Sequence, residues 1–459
     1  MTGIEINLSD FEILEADLVE VESQAPVLTL QGRCTSNDLD QWKESFLNWL
    51  EKDGSVKWDL DKQPFEGFVC KSQAISDRSI TLHIKASSAH WEADAKTQVF
   101  ASQSAEPTKI ASLHGFLGAF SFANGLDELS SPVLSLVRNG PSLEFLRRVV
   151  SREKKYLVVG PRECSVKREL KAAKFEGVLL AEPRFKPSSI PAKAKIVKGN
   201  FANEADIEVL SIQETSLNKY GLAMGRREFK DAPTFIVDSS LDSSQIVDNI
   251  SDQAFSLEFE TDQLNIRPGV SIELPKHVRF GGNRLRVAAR TLSFNANEPN
   301  HKTRNYVTLK SLSPPLFHSS IGEWKFETAT VVHVHDSSKS NMIGIRPDRL
   351  ELAGVDHMMC SIRQRTSGEF VTPVPGDRVE FRYRTDSTEA PVLVGVITTR
   401  SRAALSENGE SGSIYSSEGF AIIYDKVAKA FVVEMAGKEV LRVEESKVSV
   451  HGQFEICRQ

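Results

Sequence analysis

Phe431-Val432-Val433-Glu434-Met435, Val440-Leu441-Arg442-Val443, Val448-Ser449-Val450 and Phe454-Glu455-Ile456 follow one another within residues 418–459. In each run apolar side chains recur every second residue, the period that sets them on one face of a β-strand. Gly419, Gly437 and Gly452 stand at or near the bends between such runs. Strands this short bury too little apolar surface to stand alone. The pattern therefore predicts a sheet completed by neighbours, and with the last residue at Gln459 the neighbours expected are other copies of the chain. Phe431, Val433, Met435, Leu441, Val443, Val448 and Val450 are the expected core of that assembly. Phe454 and Ile456 would form its blunt end, where exposed apolar groups and strand edges call for a cover. Arg442, Glu444 and Glu455 fall between the apolar positions and are expected to face solvent.

Upstream, residues 401–417 are rich in Ser, Glu and Gly and read as a linker. Residues 321–400 hold five strand-like runs: Thr328–His335, Ile343–Ile345, Met359–Ile362, Arg378–Tyr383 and Val392–Ile397. Five strands in so short a stretch predict a small closed barrel of the oligonucleotide/oligosaccharide-binding (OB) type. Pro375-Gly376-Asp377 reads as a turn. Phe381 and Val394 are expected to point inward, and Met358 and Met359 to belong to the barrel core.

Residues 256–315 alternate as strands, and residues 1–135 are mostly β with one helix. Asp38 is the expected cap of that helix, ahead of Trp42, Phe46, Leu47, Trp49 and Leu50 at helical spacing. Residues 136–255 read as α/β: Pro141 opens a helix with Leu143, Leu146, Val149 and Val150 as its stripe, and Tyr156–Gly160 follows as a strand. The fold class expected is mainly β with an α/β portion.

A chain of 459 residues exceeds one compact core. It is 40% hydrophobic and 26% charged, a globular balance, and no apolar run approaches the roughly 20 residues that span a bilayer. The acidic N-terminal stretch lacks the basic and apolar regions of a secretory signal. The five cysteines are scattered and never form a CxxC pair, which argues against a disulfide framework or a structural zinc site. Residues 138–198 carry 16 Lys/Arg against 6 Asp/Glu, and residues 204–262 carry 4 against 13. The basic segment lacks interleaved aromatics of the kind that stack bases, so mutual neutralisation is expected rather than nucleic-acid binding.

Chemistry-bearing clusters are sparse. His333-Val334-His335 places two imidazoles on one strand face, with Asp336, Asp356 and His357 close in sequence, but without a third placed ligand solvent-facing histidines are the expectation. Phe370, Phe381 and Tyr383 are read as barrel core or subunit contacts rather than a stacking platform. There is no nucleophile elbow, P-loop, HExxH or dinucleotide fingerprint. No cofactor, no metal and no catalysis are expected.

The ordered set resembles the VgrG-type spikes of type VI secretion and the hub-and-spike proteins of contractile phage tails and extracellular injection systems. Val374-Pro375-Gly376-Asp377-Arg378-Val379 is similar to that family's P-x-G-D-x-V turn, and Ala390–Gly395 to its P-V-x-x-G closing strand. Trp91–Phe100 and Leu136–Arg147 are similar to its hub stretches, with Asn139-Gly140-Pro141-Ser142 replacing the usual helix start. The resemblance implies β-barrel hub modules at 1–135 and 256–315 flanking an α/β hub region at 136–255. It further implies an OB-type barrel at 321–400 and a short trimeric β-prism spike at 418–459. It implies a non-enzymatic homotrimer that joins a six-fold tube to a three-fold spike. Its partners would be tube and baseplate proteins, a PAAR-like tip protein docked near Phe454 and Ile456, and effector cargo, with no nucleic acid. Assembly in the producing cell or at a particle tip, outward delivery without a signal peptide, and transient contact with a target membrane follow from the same likeness. The alternatives are a cell-wall polysaccharide hydrolase with β-rich accessory domains, which zymography would reveal, and a trimeric nucleic-acid adaptor, which salt-dependent binding to single strands would reveal.

Overall fold

The computed structural model describes residues 3–59, 64–103, 109–118, 135–187, 193–198, 206–211, 234–237, 255–277, 281–298, 303–315, 324–334, 342–362, 373, 375–385, 390–397, 411–417, 420–425 and 427–451. The chain forms two compact units. One takes residues 1–97, 111–131 and 138–321, and the other residues 98–110, 132–137 and 322–459.

The first unit is built on one sheet of twelve described strands. Alternation explains its first half. In Val27–Cys34, Leu28 and Leu30 turn inward beside Leu82 and Ile84 of Ser79–Ala86, and Thr29 and His83 turn out. The helix Leu39–Lys52 begins where Asp38 accepts a hydrogen bond from the Gln41 N–H at 3.1 Å. It lays Trp42, Phe46 and Trp49 into this core, while Leu47, one residue around from Phe46, is exposed. The helix Ser142–Arg152 follows Pro141 and buries Leu143, Phe145, Leu146, Val149 and Val150. Its start is anchored by Asp94, whose carboxylate accepts hydrogen bonds from Arg138 at 2.9 Å and from the Ser142 hydroxyl at 2.8 Å. Of residues 188–254, three strands are described, Lys193–Lys198 pairing with Asp206–Ser211 and Thr234–Val237.

The two β modules read from the sequence share this sheet. Phe11–Val21 pairs antiparallel with Arg284–Asn295, Leu18 opposite Leu292 and Ala16 opposite Phe294. On the same face two apolar clusters meet. One contains Leu18, Leu28 and Leu292, and the other Phe259, Val287 and Val307. Between them Glu20 and Arg290 stand directly opposite and form an ion pair, side chains 8% and 4% exposed. Arg290 also donates to the Leu264 and Ile266 carbonyls, and Asn305 to those of Gln263 and Ile266 at 2.8 and 3.0 Å. The seam is thus polar and extensively hydrogen-bonded, with the buried Asn305 Oδ1 left without a partner among the described residues. A second buried pair, Arg286 with Glu22, closes the end of the junction, where burial pushes the Glu22 carboxyl up and Arg286 pulls it back.

In the second unit five strands close a barrel in the order Lys325–Val334, Met342–Pro347, Met358–Ser361, Val392–Ile397, Arg378–Tyr383. Its core holds Ala329, Val331, Ile343, Ile345, Met358, Cys360, Val379 and Phe381. Val99, Ala101 and Val137 join it, so residues 98–110 and 132–137 belong with the barrel although the sequence reading placed residues 98–110 and 132–135 in the N-terminal module. Gly376 takes a positive φ of 92° in the expected turn, and its N–H donates to the Val331 carbonyl at 2.8 Å. Phe381 is inside, but Val394 is not the residue facing it. A bulge between Glu380 and Phe381 pairs Phe381 with Leu393, shifting the inward set by one, and Leu393 and Val396 pack on the core.

The segment read as a linker contributes a strand. Ser411–Ser417 pairs with Phe420–Asp425, followed by Ala430–Met435, Lys438–Val443 and Val448–Val450 in one antiparallel sheet of five described strands. Ala436 and Gly437, with φ of 47° and 73°, form the two-residue turn between Met435 and Lys438.

Three outcomes follow. Phe381→Ala lowers stability by about 3–5 kcal/mol and Val394→Ala by less than about 1 kcal/mol, read from urea unfolding. Arg290→Ala or Glu20→Ala alone costs about 3–5 kcal/mol, whereas replacing both with Met and Leu costs much less, because a lone buried charge is the expensive state. Ala436→Gly raises stability by about 1 kcal/mol, since glycine removes the left-handed strain on Cβ.

Candidate functional site

Register decides which side chains of the C-terminal sheet share a face. Phe431 lies opposite Tyr424 and Val443, and Val443 opposite Val448. Val433 lies opposite Ile422 and Leu441, and Leu441 opposite Val450, while Met435 lies opposite Phe420. All seven residues singled out at 431–450 therefore fall on one face, joined by Phe420, Ile422 and Tyr424. The Tyr424 and Phe431 rings are 5.0 Å apart. The face is open in the single chain, with Phe431, Met435 and Val448 exposed by 49%, 55% and 61%. A contiguous apolar surface of this kind marks an interaction site.

The opposite face is mixed: Ala430 and Val432 are buried on it, and Ile423 and Arg442 stand on either side of Val432. Arg442 donates two hydrogen bonds to Glu439, at 2.9 and 2.8 Å, and stands 3.8 Å from both Asp425 and Glu444. The bond from Arg442 holds the Glu439 carboxyl below its usual range. His451 Nε2 is 3.4 Å from Glu439. Phe454, Glu455 and Ile456 lie outside the described residues.

Other candidate chemistry is dispersed. His333 and His357 face each other across Gly344, ring centroids 6.4 Å apart, and a Cβ on Gly344 would come within 2.8 Å of the His357 ring. His357 Nδ1 is 2.8 Å from the Asp356 carboxylate, which this bond holds below the usual carboxylate range. His335, Asp336 and Phe370 lie outside the described residues. Among the described residues no group of three or more His, Cys, Asp or Glu is arranged to hold a metal. Burial pushes the Cys164 thiol up to about 12 and raises Cys360 as well, so both are inert thiols.

One surface feature escaped sequence reading. Trp324, just before the strand Lys325–Val334, and Phe326 on it lie off the barrel core beside Arg382 on Arg378–Tyr383 and Arg384 just after it; Phe326 is exposed, the other three are half-buried, and both guanidinium carbons lie over the Trp324 ring at 4.5 and 4.4 Å. The signal was the two-residue spacing of Trp324-Lys325-Phe326 and Arg382-Tyr383-Arg384, masked by the barrel-core role of Tyr383 between them.

No protein-family model matches the chain, and no curated protein matches it by sequence. Solved structures do match. A chain of the lidded Francisella PdpA-VgrG complex superposes with a TM-score of 0.58 over 97% of this chain and 76% of its own length, at 10% identity. The E. coli c3393 protein matches with a TM-score of 0.52 over 86% of this chain and 99% of its own, also at 10% identity. That protein is described as a type VI secretion component structurally similar to the T4 bacteriophage tail proteins gp27 and gp5. Identity this low speaks to architecture, and on that ground the chain shares the β-rich fold of these two structures.

Proposed function

We propose that the chain is a structural hub-and-spike subunit at the tip of a contractile injection machine and works as a homotrimer. The observation that carries this reading is the apolar face of the C-terminal sheet, laid out by register and left open in one copy. Three copies turning that face toward a common axis bury it and set the Arg442–Glu439 face toward solvent, which is a closed three-fold prism. The shared fold with type VI secretion components supports the placement in such a machine.

The role is mechanical rather than catalytic. A contracting sheath drives a tube, and the trimer caps that tube and leads it through a membrane, with tube and baseplate proteins beneath it. A PAAR-like tip protein covers the end at Phe454 and Ile456. VgrG in the Francisella structure is complexed with PdpA, and a comparable cargo or accessory protein is proposed here. No described helix is long and apolar enough to cross a membrane.

Leu441→Asp and Val433→Asp each put a carboxylate into the proposed axis. Size-exclusion chromatography with light scattering should find three chains per particle for the unaltered protein and single chains for either variant, while the barrel still unfolds cooperatively. Variants that remain trimeric would mean that this face is not the subunit contact.

A further inference from the structure

The outward aromatic–arginine strip of the barrel has no role in the prism. We propose that it is a second subunit contact, through which the barrel of one copy docks on a carboxylate-bearing face of the next copy's barrel. The proposal rests on the trimer reading above. Phe326 is paired in register with Arg382, and it is 58% exposed whereas Phe381 in the barrel interior is fully buried. Farther along the same strand Arg378 is neutralised by Asp348. Arg382 has no carboxylate partner among the described residues, and its contact is the Trp324 ring. A guanidinium already laid on an indole loses little further freedom on binding and keeps its edge N–H groups for a carboxylate. Trp, Phe and Arg are also the side chains in which interface energy concentrates.

Two arguments identify the occupant as another copy. In a closed three-fold ring every contact is heterologous, so a basic patch on one barrel must meet a different patch on its neighbour. The barrel offers one in Glu351 and Asp356. Both are exposed, and their carboxylates contact Gln98, Gln103 and His357 but no Lys or Arg among the described residues. Asp356 is held in its charged form by its hydrogen bond to His357. The second argument is the tether. Residues 398–410 separate the barrel strand Val392–Ile397 from Ser411–Ser417, and thirteen residues reach at most about 45 Å. Copies joined at the C-terminal sheet therefore hold their barrels at an effective concentration in the millimolar range, where a contact of modest intrinsic strength stays occupied.

The test is the concentration at which the full-length trimer dissociates, followed by sedimentation and mass photometry for Arg382→Glu, Phe326→Ala and the unaltered chain. Each substitution should raise the dissociation midpoint tenfold or more, with barrel unfolding unchanged because neither side chain belongs to the barrel core. Adding Glu351→Arg and Asp356→Arg to Arg382→Glu should restore at least half of the loss on a logarithmic scale. An unaltered chain that is trimeric, with variants dissociating at its own midpoint, overturns the barrel contact alone. So does saturable binding of a fluorescent fifteen-nucleotide oligo-dT that Arg382→Glu abolishes without moving the midpoint, since the strip then serves a nucleic acid. An unaltered chain that is monomeric throughout overturns the trimer reading, and this contact with it.

Discussion

A β-sheet has two faces, and the C-terminal sheet has filled one of them with Phe, Tyr, Ile, Val, Leu and Met and opened it to water. That face dictates the rest of the account. Covering an apolar side chain that is half exposed contributes on the order of 1 kcal/mol, and several such side chains in each copy are the driving force the proposed association would set against its entropy cost. The opposite face is already occupied within one copy, since Ala430 and Val432 are buried there and Arg442 is committed to Glu439 and Asp425. The fold thus separates a face that seeks partners from a face that is self-satisfied. Copies packed with these faces together, as a face-to-face pair or as the three-fold ring proposed above, leave none of them open.

The first unit solves the converse problem. Its sheet must join strands more than 260 residues apart, Phe11–Val21 with Arg284–Asn295, without letting two apolar clusters merge into one featureless surface. The Glu20–Arg290 pair stands at that join. Buried ion pairs contribute little net stability but punish misregistration heavily, since a slip of one residue would leave each charge alone among leucines. The pair fixes the register of the seam, and through it the position of the 263–266 loop that Arg290 and Asn305 hold.

Where information is local, residues alone were enough to read the structure. Arg378–Tyr383 alternates strictly, so Phe381 was legible as core, and the same period gathered Phe431 to Val450 onto one face. Asp38 was legible as a cap because its carboxylate stands at the spacing that reaches Gln41 N–H. Failures occurred where the controlling contact is distant or irregular. Nothing near Val394 announces the bulge that hands its place to Leu393. Nothing in Phe11–Val21 names its partner strand, so one sheet read as two modules. Ser411–Ser417 looked like a linker because its composition is that of a loop, yet backbone pairing with Phe420–Asp425 suffices to make it a strand. The Trp324–Arg382 stack was invisible for a similar reason: it is a diagonal contact across two strands far apart in sequence.

The most direct measurement of the central claim is equilibrium sedimentation of the unaltered chain at micromolar concentration, combined with hydrogen exchange of the Ala430–Met435 and Lys438–Val443 amides. The account predicts a single species of three chains with those amides protected, and loss of protection as dilution separates the copies. A monomer whose C-terminal strands stay fully protected would contradict it, because the apolar face would then be stable in water with nothing covering it.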